Sequence, residues 1–194
     1  MFQNLSNLNQ PADPFKLIEQ SSLVYSTEEV EFAIEKVASQ INLTLEKTPI
    51  VMICVMSGGL YFSGKLLAKL KMPVELDYVQ ANRYQNNLSG GDLIWTKMPS
   101  IELNQKIVIL VDDILDEGLT LSAVSKKCLA LGATKVVTAV LTDKKNNLIK
   151  PLQADFVGVN VPNQFVFGCG MDAFGWWRNL PEIRALSSTE EENS

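Results

Sequence analysis

The sequence predicts an α/β fold with a doubly wound, mainly parallel sheet and a small appended segment. Two continuous apolar runs, 50–56 and 107–111, are typical of strands buried on both faces of a parallel sheet. A helical pattern follows each run, and this alternation is characteristic of α/β proteins. We expect one domain over residues 1–194, because neither an internal repeat nor an interdomain linker is visible.

The two ends of the chain are the least periodic parts. Residues 1–20 are rich in Asn, Gln and Pro, and we expect a loosely ordered N-terminal arm there. A polar, acidic tail is expected over 187–194. Ser26 and Glu29 have the spacing of a capping box, which marks the start of a helix. The apolar face of that helix consists of Val30, Ile34, Val37, Ile41 and Leu45.

The composition is that of a globular protein. Apolar residues make up 46% of the chain, and the net charge of −5 provides no basic surface for nucleic acid. No apolar run approaches the roughly 20 residues of a membrane helix, and residues 1–20 lack a secretory signal pattern. The three cysteines are widely spaced and odd in number. Cys54 and Cys128 lie in apolar segments, so we expect buried thiols in a reducing cytoplasm.

The chain contains no histidine. This excludes histidine-based zinc sites and nucleophile schemes in which histidine activates serine or cysteine. Proton transfer must therefore use carboxylates, lysines or tyrosines.

The stretch from 107 to 121 is the most informative part of the sequence. A buried strand is followed by Asp112 and Asp113, then by Asp116, and Gly118 opens a helical pattern. The face of that helix toward the sheet carries Leu121, Val124, Cys128 and Leu131. This order places the acids at the carboxyl edge of the sheet, where open α/β folds bind ligands, and a helix start offers free N–H groups to a phosphate. Three carboxylates so close together repel each other unless a cation or hydroxyl groups lie between them.

This stretch resembles the phosphoribosyl pyrophosphate (PRPP) signature of the type I phosphoribosyltransferases. The resemblance implies that Asp112 and Asp113 engage the ribose hydroxyls, directly or through Mg²⁺, and that Asp116 is the general base. It further implies that the 5′-phosphate is bound by Glu117, Gly118, Leu119 and Thr120. Glu117 departs from the family, which usually has a hydroxyl residue there. Its side chain is expected to turn outward, the alternative being a pairing with Arg83 or a lysine.

A second phosphate motif competes with the first. Residues 59–65 fit the G-x-x-x-x-G-K spacing of a P-loop, which makes a nucleotide kinase or ATPase the alternative. Against it, Leu66 stands where a magnesium-binding Ser or Thr is needed. A helix from about 60 to 70, with Leu60, Leu67 and Leu70 on its core face, fits the pattern better. The family resemblance instead implies a pyrophosphate-binding loop at Ser57, Gly58 and Gly59.

The C-terminal half resembles the hypoxanthine-guanine branch of this family, over 141–144, 155–158, 161–172 and 177–181. The resemblance implies that Lys144 donates to O6 of a 6-oxopurine, that Phe165 stacks on the base, and that the backbone of Val166 contacts its exocyclic edge. Asp172 would contact Mg²⁺ and Arg178 would hold pyrophosphate. Other strand patterns cover 74–79, 136–141 and 156–161, and the appended segment would form the family's hood.

The segment 82–100 has little periodicity, which predicts a long loop or a splayed hairpin. It matches the family's mobile loop, with Arg83 and Tyr84 where this branch usually has Ser-Tyr. The implied activity is purine salvage: a 6-oxopurine and PRPP give a nucleoside monophosphate and pyrophosphate, with Mg²⁺ as cofactor. The family commonly forms homodimers or homotetramers. A nucleotide-binding transcriptional regulator on the same fold is a further alternative, because fold alone does not determine function.

Overall fold

The structure, a computed structural model, describes residues 13–83 and 93–187. The elements in chain order are α1 (Phe15–Glu19), β1 (Ser21–Tyr25), α2 (Thr27–Thr44), β2 (Ile50–Val55), α3 (Leu60–Leu67), β3 (Val74–Arg83), β4 (Leu93–Lys97), β5 (Ile107–Leu115), α4 (Leu119–Ala130), β6 (Lys135–Lys145), β7 (Phe156–Pro162), β8 (Val166–Phe167) and β9 (Ile183–Leu186). None of the helices in this part of the chain has the length and apolar character that crossing a bilayer requires.

The main sheet has six strands in the order β4-β3-β2-β5-β6-β7. All neighbours are parallel except β4, which pairs antiparallel with β3 at the edge. The predicted α/β fold with a mainly parallel sheet is therefore confirmed. In the register of β5 and β6, Leu115 lies opposite Asp143. The residues that follow these two, Asp116 and Lys144, therefore lie beside each other at the carboxyl edge of the sheet.

Alternate residues of the central strands enter two separate cores, because successive side chains of a strand point to opposite faces. Met52 and Ile109 pack with α2 and α3 on one face, and Val51 and Leu110 pack with α4 on the other. Covering both faces explains why these strands are continuously apolar.

The predicted helices form, with corrections at their ends. Ser26 and Glu29 make the reciprocal hydrogen bonds of a capping box, and all five residues of the predicted apolar face of α2 are buried. Leu60 and Leu131 were predicted to face the core but are 58% and 39% exposed. Leu60 is the first residue of α3 and Leu131 is the C-cap of α4, so both lie where a helix leaves the core.

A second, three-stranded antiparallel sheet of order β1-β9-β8 forms the predicted appended segment, called the hood below. α1 packs against it: Leu17 is buried there, and Trp177 Nε1 donates to Pro14 O at 2.7 Å. The expectation of a loosely ordered arm is wrong for Phe15–Glu19, because Leu17 and the Trp177 contact attach this turn to the hood. Residues 1–12 and 188–194 lie outside the described part of the chain.

Candidate active site

A cavity of about 440 Å³ lies at the carboxyl ends of β2 and β5. This is the edge at which doubly wound sheets bind ligands. Its lining comes from four places in the chain: Val55–Gly58, Gln80–Ala81, Asp112–Leu121 without Leu115, and Arg178. The cavity therefore joins the predicted PRPP stretch to the predicted pyrophosphate loop and to the predicted pyrophosphate arginine.

Asp112 and Asp113, called the acid pair below, lie inside β5, which was predicted to end before them. They are 9% and 8% exposed. Main-chain N–H groups satisfy part of their bonding capacity: Asp113 N donates to Asp112 Oδ1 at 2.9 Å, and Ile114 N donates to Asp113 Oδ1 at 2.7 Å. Thr142 Oγ1, on β6, donates to Asp113 O at 2.9 Å. The strand thus continues through both acids, and hydrogen bonds hold them in the sheet.

Burial raises the pKa of both carboxyls in the acid pair. For Asp112 the second cause is repulsion by Asp113, which acts in the same direction. For Asp113 burial is opposed by hydrogen bonds and by the nearby Arg178 guanidinium, which favours the charged form. Two adjacent, buried carboxyls are stabilised when a cation or hydroxyl donors reach them. This environment suits the binding of ribose hydroxyls or a divalent cation.

Glycines allow the pyrophosphate loop to approach the acid pair. A Cβ on Gly58 would lie 1.9 Å from Asp113 Oδ2, and a Cβ on Gly59 would lie 2.6 Å from Val111 O. Both distances are too short for any other residue. Ser57, after a cis peptide bond from Met56, and Gly58 line the cavity. Gly59 does not line the cavity and is instead the N-cap residue of α3.

The start of α4 also lines the cavity. Gly118, at the N-cap position of α4, has a φ of 75°, which favours glycine, and no side-chain hydrogen bond caps the first turn. The first N–H groups of a helix that lack a cap can bind an anion. Glu117, Gly118, Leu119 and Thr120 all line the cavity, as the prediction of a 5′-phosphate loop requires.

Asp116 has partners of a different kind from those of the acid pair. Lys144 Nζ lies 2.6 Å from its Oδ2. Asn146 Nδ2 donates to its Oδ1 at 2.8 Å and to its main-chain oxygen at 3.1 Å. Lys144 was predicted on the base side and Asp116 as the proton acceptor, and the structure places the two side by side.

Sequence reasoning missed Asn146 and Lys150. Lys150 Nζ donates to Leu115 O at 2.8 Å, to Lys144 O at 2.7 Å and to Asp143 Oδ1 at 2.6 Å, so it joins the ends of β5 and β6. Both residues lie in an irregular stretch after β6 that has no periodic pattern. Their nearness to Lys144 in the chain was the only available signal.

Arg178 and Asp172 are joined directly. Arg178 Nη2 lies 2.6 Å from Asp172 Oδ1, and Arg178 Nη1 donates to Gly170 O at 2.7 Å. Gly175 N donates to the other oxygen of Asp172 at 2.7 Å. Arg178 lines the cavity, whereas Asp172 lies behind it as the partner of that arginine.

The other predicted base-side residues lie in the hood. Phe165 stacks on Phe174 with ring centroids 5.8 Å apart, and Val166 is buried in β8. Neither contributes to the cavity lining. Of the predicted loop over 82–100, Arg83 is the last residue of β3 and Leu93–Lys97 form β4, which pairs antiparallel with β3, so the hairpin alternative is confirmed at these ends. Tyr84 lies outside the described residues. The roles of these residues stay predictions.

The P-loop alternative receives no support from the structure. Its lysine, Lys65, pairs with Glu31 of α2 at 2.5 Å, on the face of the sheet that α2 and α3 cover. Phe62 and Leu66 of the same segment are fully buried in the core. The segment is a core helix and forms no cradle for phosphate.

Comparison with known proteins identifies the family. Residues 20–173 match the phosphoribosyl transferase domain family. A hypoxanthine-guanine phosphoribosyltransferase from Aquifex aeolicus is 31% identical over 83% of this chain and 92% of its own length. The Bacillus subtilis enzyme of the same name is 28% identical over 84% and 92%.

A solved structure agrees with these sequence matches. The crystal structure of a hypoxanthine-guanine phosphoribosyltransferase from Bacillus anthracis superposes with a TM-score of 0.77 at 29% identity, covering 84% of this chain and 95% of that one. These relatives are named as enzymes, so they give no support to the regulator alternative. The chain belongs to the phosphoribosyltransferase family and, within it, groups with the hypoxanthine-guanine enzymes.

Proposed function

We propose that this protein acts in purine salvage and transfers the phosphoribosyl group of PRPP to a 6-oxopurine. Hypoxanthine and guanine are the proposed bases, and xanthine is a further candidate. The observation that carries the proposal is the single cavity in which the acid pair, the uncapped start of α4, the Ser57–Gly58 loop and Arg178 meet. The acid pair matches the ribose hydroxyls of PRPP, and the start of α4 matches its 5′-phosphate. The Ser57–Gly58 loop and Arg178 together match its pyrophosphate.

The ribose lies over the acid pair, whose oxygens accept hydrogen bonds from the hydroxyl groups. The 5′-phosphate binds the N–H groups and the hydroxyl of the loop Glu117–Thr120, where the helix dipole also favours an anion. Arg178 and the Ser57–Gly58 loop bind the leaving pyrophosphate, and the pairing with Asp172 and Gly170 holds the guanidinium in place. Asp172 therefore acts on pyrophosphate mainly through Arg178.

The purine lies between Asp116 and the hood. Lys144 donates to O6, and this donor disfavours the amino group of adenine. Asp116 accepts the proton of the imidazole ring as the purine nitrogen attacks C1 of the ribose and pyrophosphate leaves. Phe165 and the backbone of Val166 complete the base side, which requires the base to reach from the cavity toward β8.

Mg²⁺ is the proposed cofactor. Among the described residues no three metal-ligating side chains form a cluster. The acid pair nevertheless fits this cation, because Mg²⁺ is usually bound through one or two carboxylates together with substrate phosphates. Asp112 and Asp113 would hold it, and both oxygens of Asp172 are already engaged by Arg178 and Gly175. When bound, the ion would offset the charge that builds on the leaving pyrophosphate.

The proposal extends to assembly and location. A second cavity, of about 340 Å³, is rimmed by Leu60, Leu76 and Tyr78, which are 58%, 53% and 43% exposed. An apolar surface of this kind supports a homodimer or homotetramer. The three free cysteines, all buried, support a cytoplasmic location. Analytical ultracentrifugation of the wild type and of Leu76→Lys tests the assembly.

The activity is tested by ultraviolet-monitored turnover of hypoxanthine, guanine and xanthine with PRPP and Mg²⁺. We expect conversion of at least hypoxanthine or guanine, and we expect turnover to be lost when EDTA removes the metal. ATP hydrolysis, measured in parallel, is expected to be absent. ATP hydrolysis without conversion of any base would overturn the proposal.

A further inference from the structure

Asn146 contacts Asp116 at two points. Its amide nitrogen donates to Asp116 Oδ1 at 2.8 Å and to the main-chain oxygen of the same residue at 3.1 Å. Lys144 Nζ forms an ion pair with the other carboxylate oxygen of Asp116, Oδ2, at a distance of 2.6 Å. The carboxylate is thus held at both of its oxygens, by an ammonium on one and by an amide on the other.

The backbone that carries Asn146 is itself fixed. Asn146 N donates to Lys144 O at 3.0 Å, and Lys150 Nζ donates to the same carbonyl at 2.7 Å. Lys150 also donates to Leu115 O at 2.8 Å, which ties this turn to the end of β5. Asn146 and Asp116 therefore follow the ends of β6 and β5, and Lys150 joins these two strand ends through Lys144 O and Leu115 O.

The two donors restrain Asp116 in different ways. An ammonium is a compact point charge on a flexible stem, so Lys144 fixes the position of one oxygen better than the plane of the carboxylate. The amide of Asn146 is planar and is anchored a second time on the Asp116 carbonyl, so its direction toward Oδ1 is determined. Each carboxylate oxygen can accept two hydrogen bonds, and one site on each therefore remains for a substrate N–H.

We propose that Asn146 is a positioning residue that holds the Asp116 carboxylate in the orientation in which it accepts the purine proton. This inference rests on the proposed function. It assigns to Asn146 an effect on the chemical step that passes entirely through Asp116. Binding of PRPP, which uses the acid pair and the loop after Asp116, is expected to change little.

The test measures the single-turnover rate of hypoxanthine conversion with saturating PRPP and Mg²⁺. Asn146→Ala is expected to lower this rate about 10- to 100-fold, the effect that misplacing a reacting group can have. Asn146→Asp keeps the shape but removes the donor and adds a repelling carboxylate, so it should lower the rate at least as much. Asn147→Ala and Asn147→Asp are the matched controls, because Asn147 is exposed next to it, and they should keep the wild-type rate.

The decisive comparison is made in an Asp116→Asn background. If Asn146 acts through Asp116, adding Asn146→Ala to Asp116→Asn lowers the rate no further. A full additional loss there, or a wild-type rate in both single Asn146 variants, would overturn the inference. Thermal unfolding shows whether Asn146→Ala folds. If it does not, the rate of the isosteric variant Asn146→Asp is used to test the inference. Absence of turnover in the wild type would instead overturn the proposed function.

Discussion

The acid pair and Asp116 differ in their surroundings although they lie within five residues of each other. Asp112 and Asp113 are buried, and among the described residues no lysine or arginine forms an ion pair with either. Asp116 has a third of its side chain exposed and pairs with Lys144. The same residue type thus has two environments, and in enzymes such a difference separates the roles of carboxylates. We assign the pair to binding sugar and cation, and Asp116 to proton transfer.

The largest effect is expected from Asp116→Asn, which removes the proposed proton acceptor and preserves the shape of the side chain. The single-turnover rate should fall about 10²- to 10⁴-fold, the contribution typical of a general base. Rapid mixing with hypoxanthine and saturating PRPP measures it under conditions where product release does not limit the rate. A rate near that of the wild type would remove Asp116 from the chemistry.

Lys144→Met is expected to lower kcat/KM for the purine by about 10- to 100-fold, the range for losing a hydrogen bond to a charged group. The variant removes the proposed contact to O6 of the base and the observed contact to Asp116 Oδ2. Steady-state kinetics with hypoxanthine varied at fixed PRPP provide the number. Lys145→Met, whose side chain is exposed and pairs with Asp143, is the matched control. An unchanged purine kcat/KM together with lost PRPP binding would place Lys144 on the phosphate side.

Asp112→Asn is expected to stabilise the protein at neutral pH. Burial raises the pKa of Asp112 above its ordinary value of 3.8, so the folded state retains a proton that the unfolded state releases. The free energy of unfolding therefore falls as pH rises from the ordinary value to the raised one, and the amide, which cannot ionise, avoids this loss. We expect a Tm higher by about 2–4 °C at pH 7.5, the shift that ~1 kcal/mol gives a domain of this size.

The pH dependence of this gain is its control. Near pH 3 the carboxyl is protonated in both states, and the two proteins should then have the same Tm. Differential scanning calorimetry at both pH values, without PRPP or Mg²⁺, makes the comparison. A lower Tm for the variant at pH 7.5 would mean that the Asp112 carboxylate stabilises the fold.

The smallest effect is expected from Glu117→Thr. Glu117 lines the cavity where a phosphate dianion is proposed to bind, and like charges at that range are unfavourable. Replacing it by threonine removes charge and adds a donor, so PRPP should bind a few times more tightly, most clearly at low salt, where screening is weak. Titration calorimetry at two salt concentrations measures this. Markedly weaker binding would show that Glu117 stabilises the loop.

Local patterns predicted the fold well, because periodicity and capping are properties of neighbouring residues. The capping box of α2 and the apolar runs of β2 and β5 are examples. The end of β5 was misplaced because aspartate is disfavoured in strands, and only the surrounding sheet keeps the acid pair within one. The pairing of β1 with β9 joins residues far apart in the chain, which no periodic pattern could indicate.

The same limit applies within the site. Asp116, Lys144, Asp172 and Arg178 were each predicted from motifs. That Lys144 pairs with Asp116, and Arg178 with Asp172, depends on strand register and on a loop conformation. The bonds from Asn146 to Asp116 span 30 positions and arise from two strand ends meeting at the sheet edge.

The division of roles between the two groups of carboxylates is tested most directly by equilibrium binding of PRPP in the presence of Mg²⁺. Titration calorimetry would compare the wild type, Asp116→Asn, and the double variant Asp112→Asn, Asp113→Asn. We predict that Asp116→Asn binds PRPP with wild-type affinity, whereas the double variant loses binding by at least about 100-fold, because two charged partners of ribose and cation are removed. Equal losses in both proteins, or a loss confined to Asp116→Asn, would contradict the assignment.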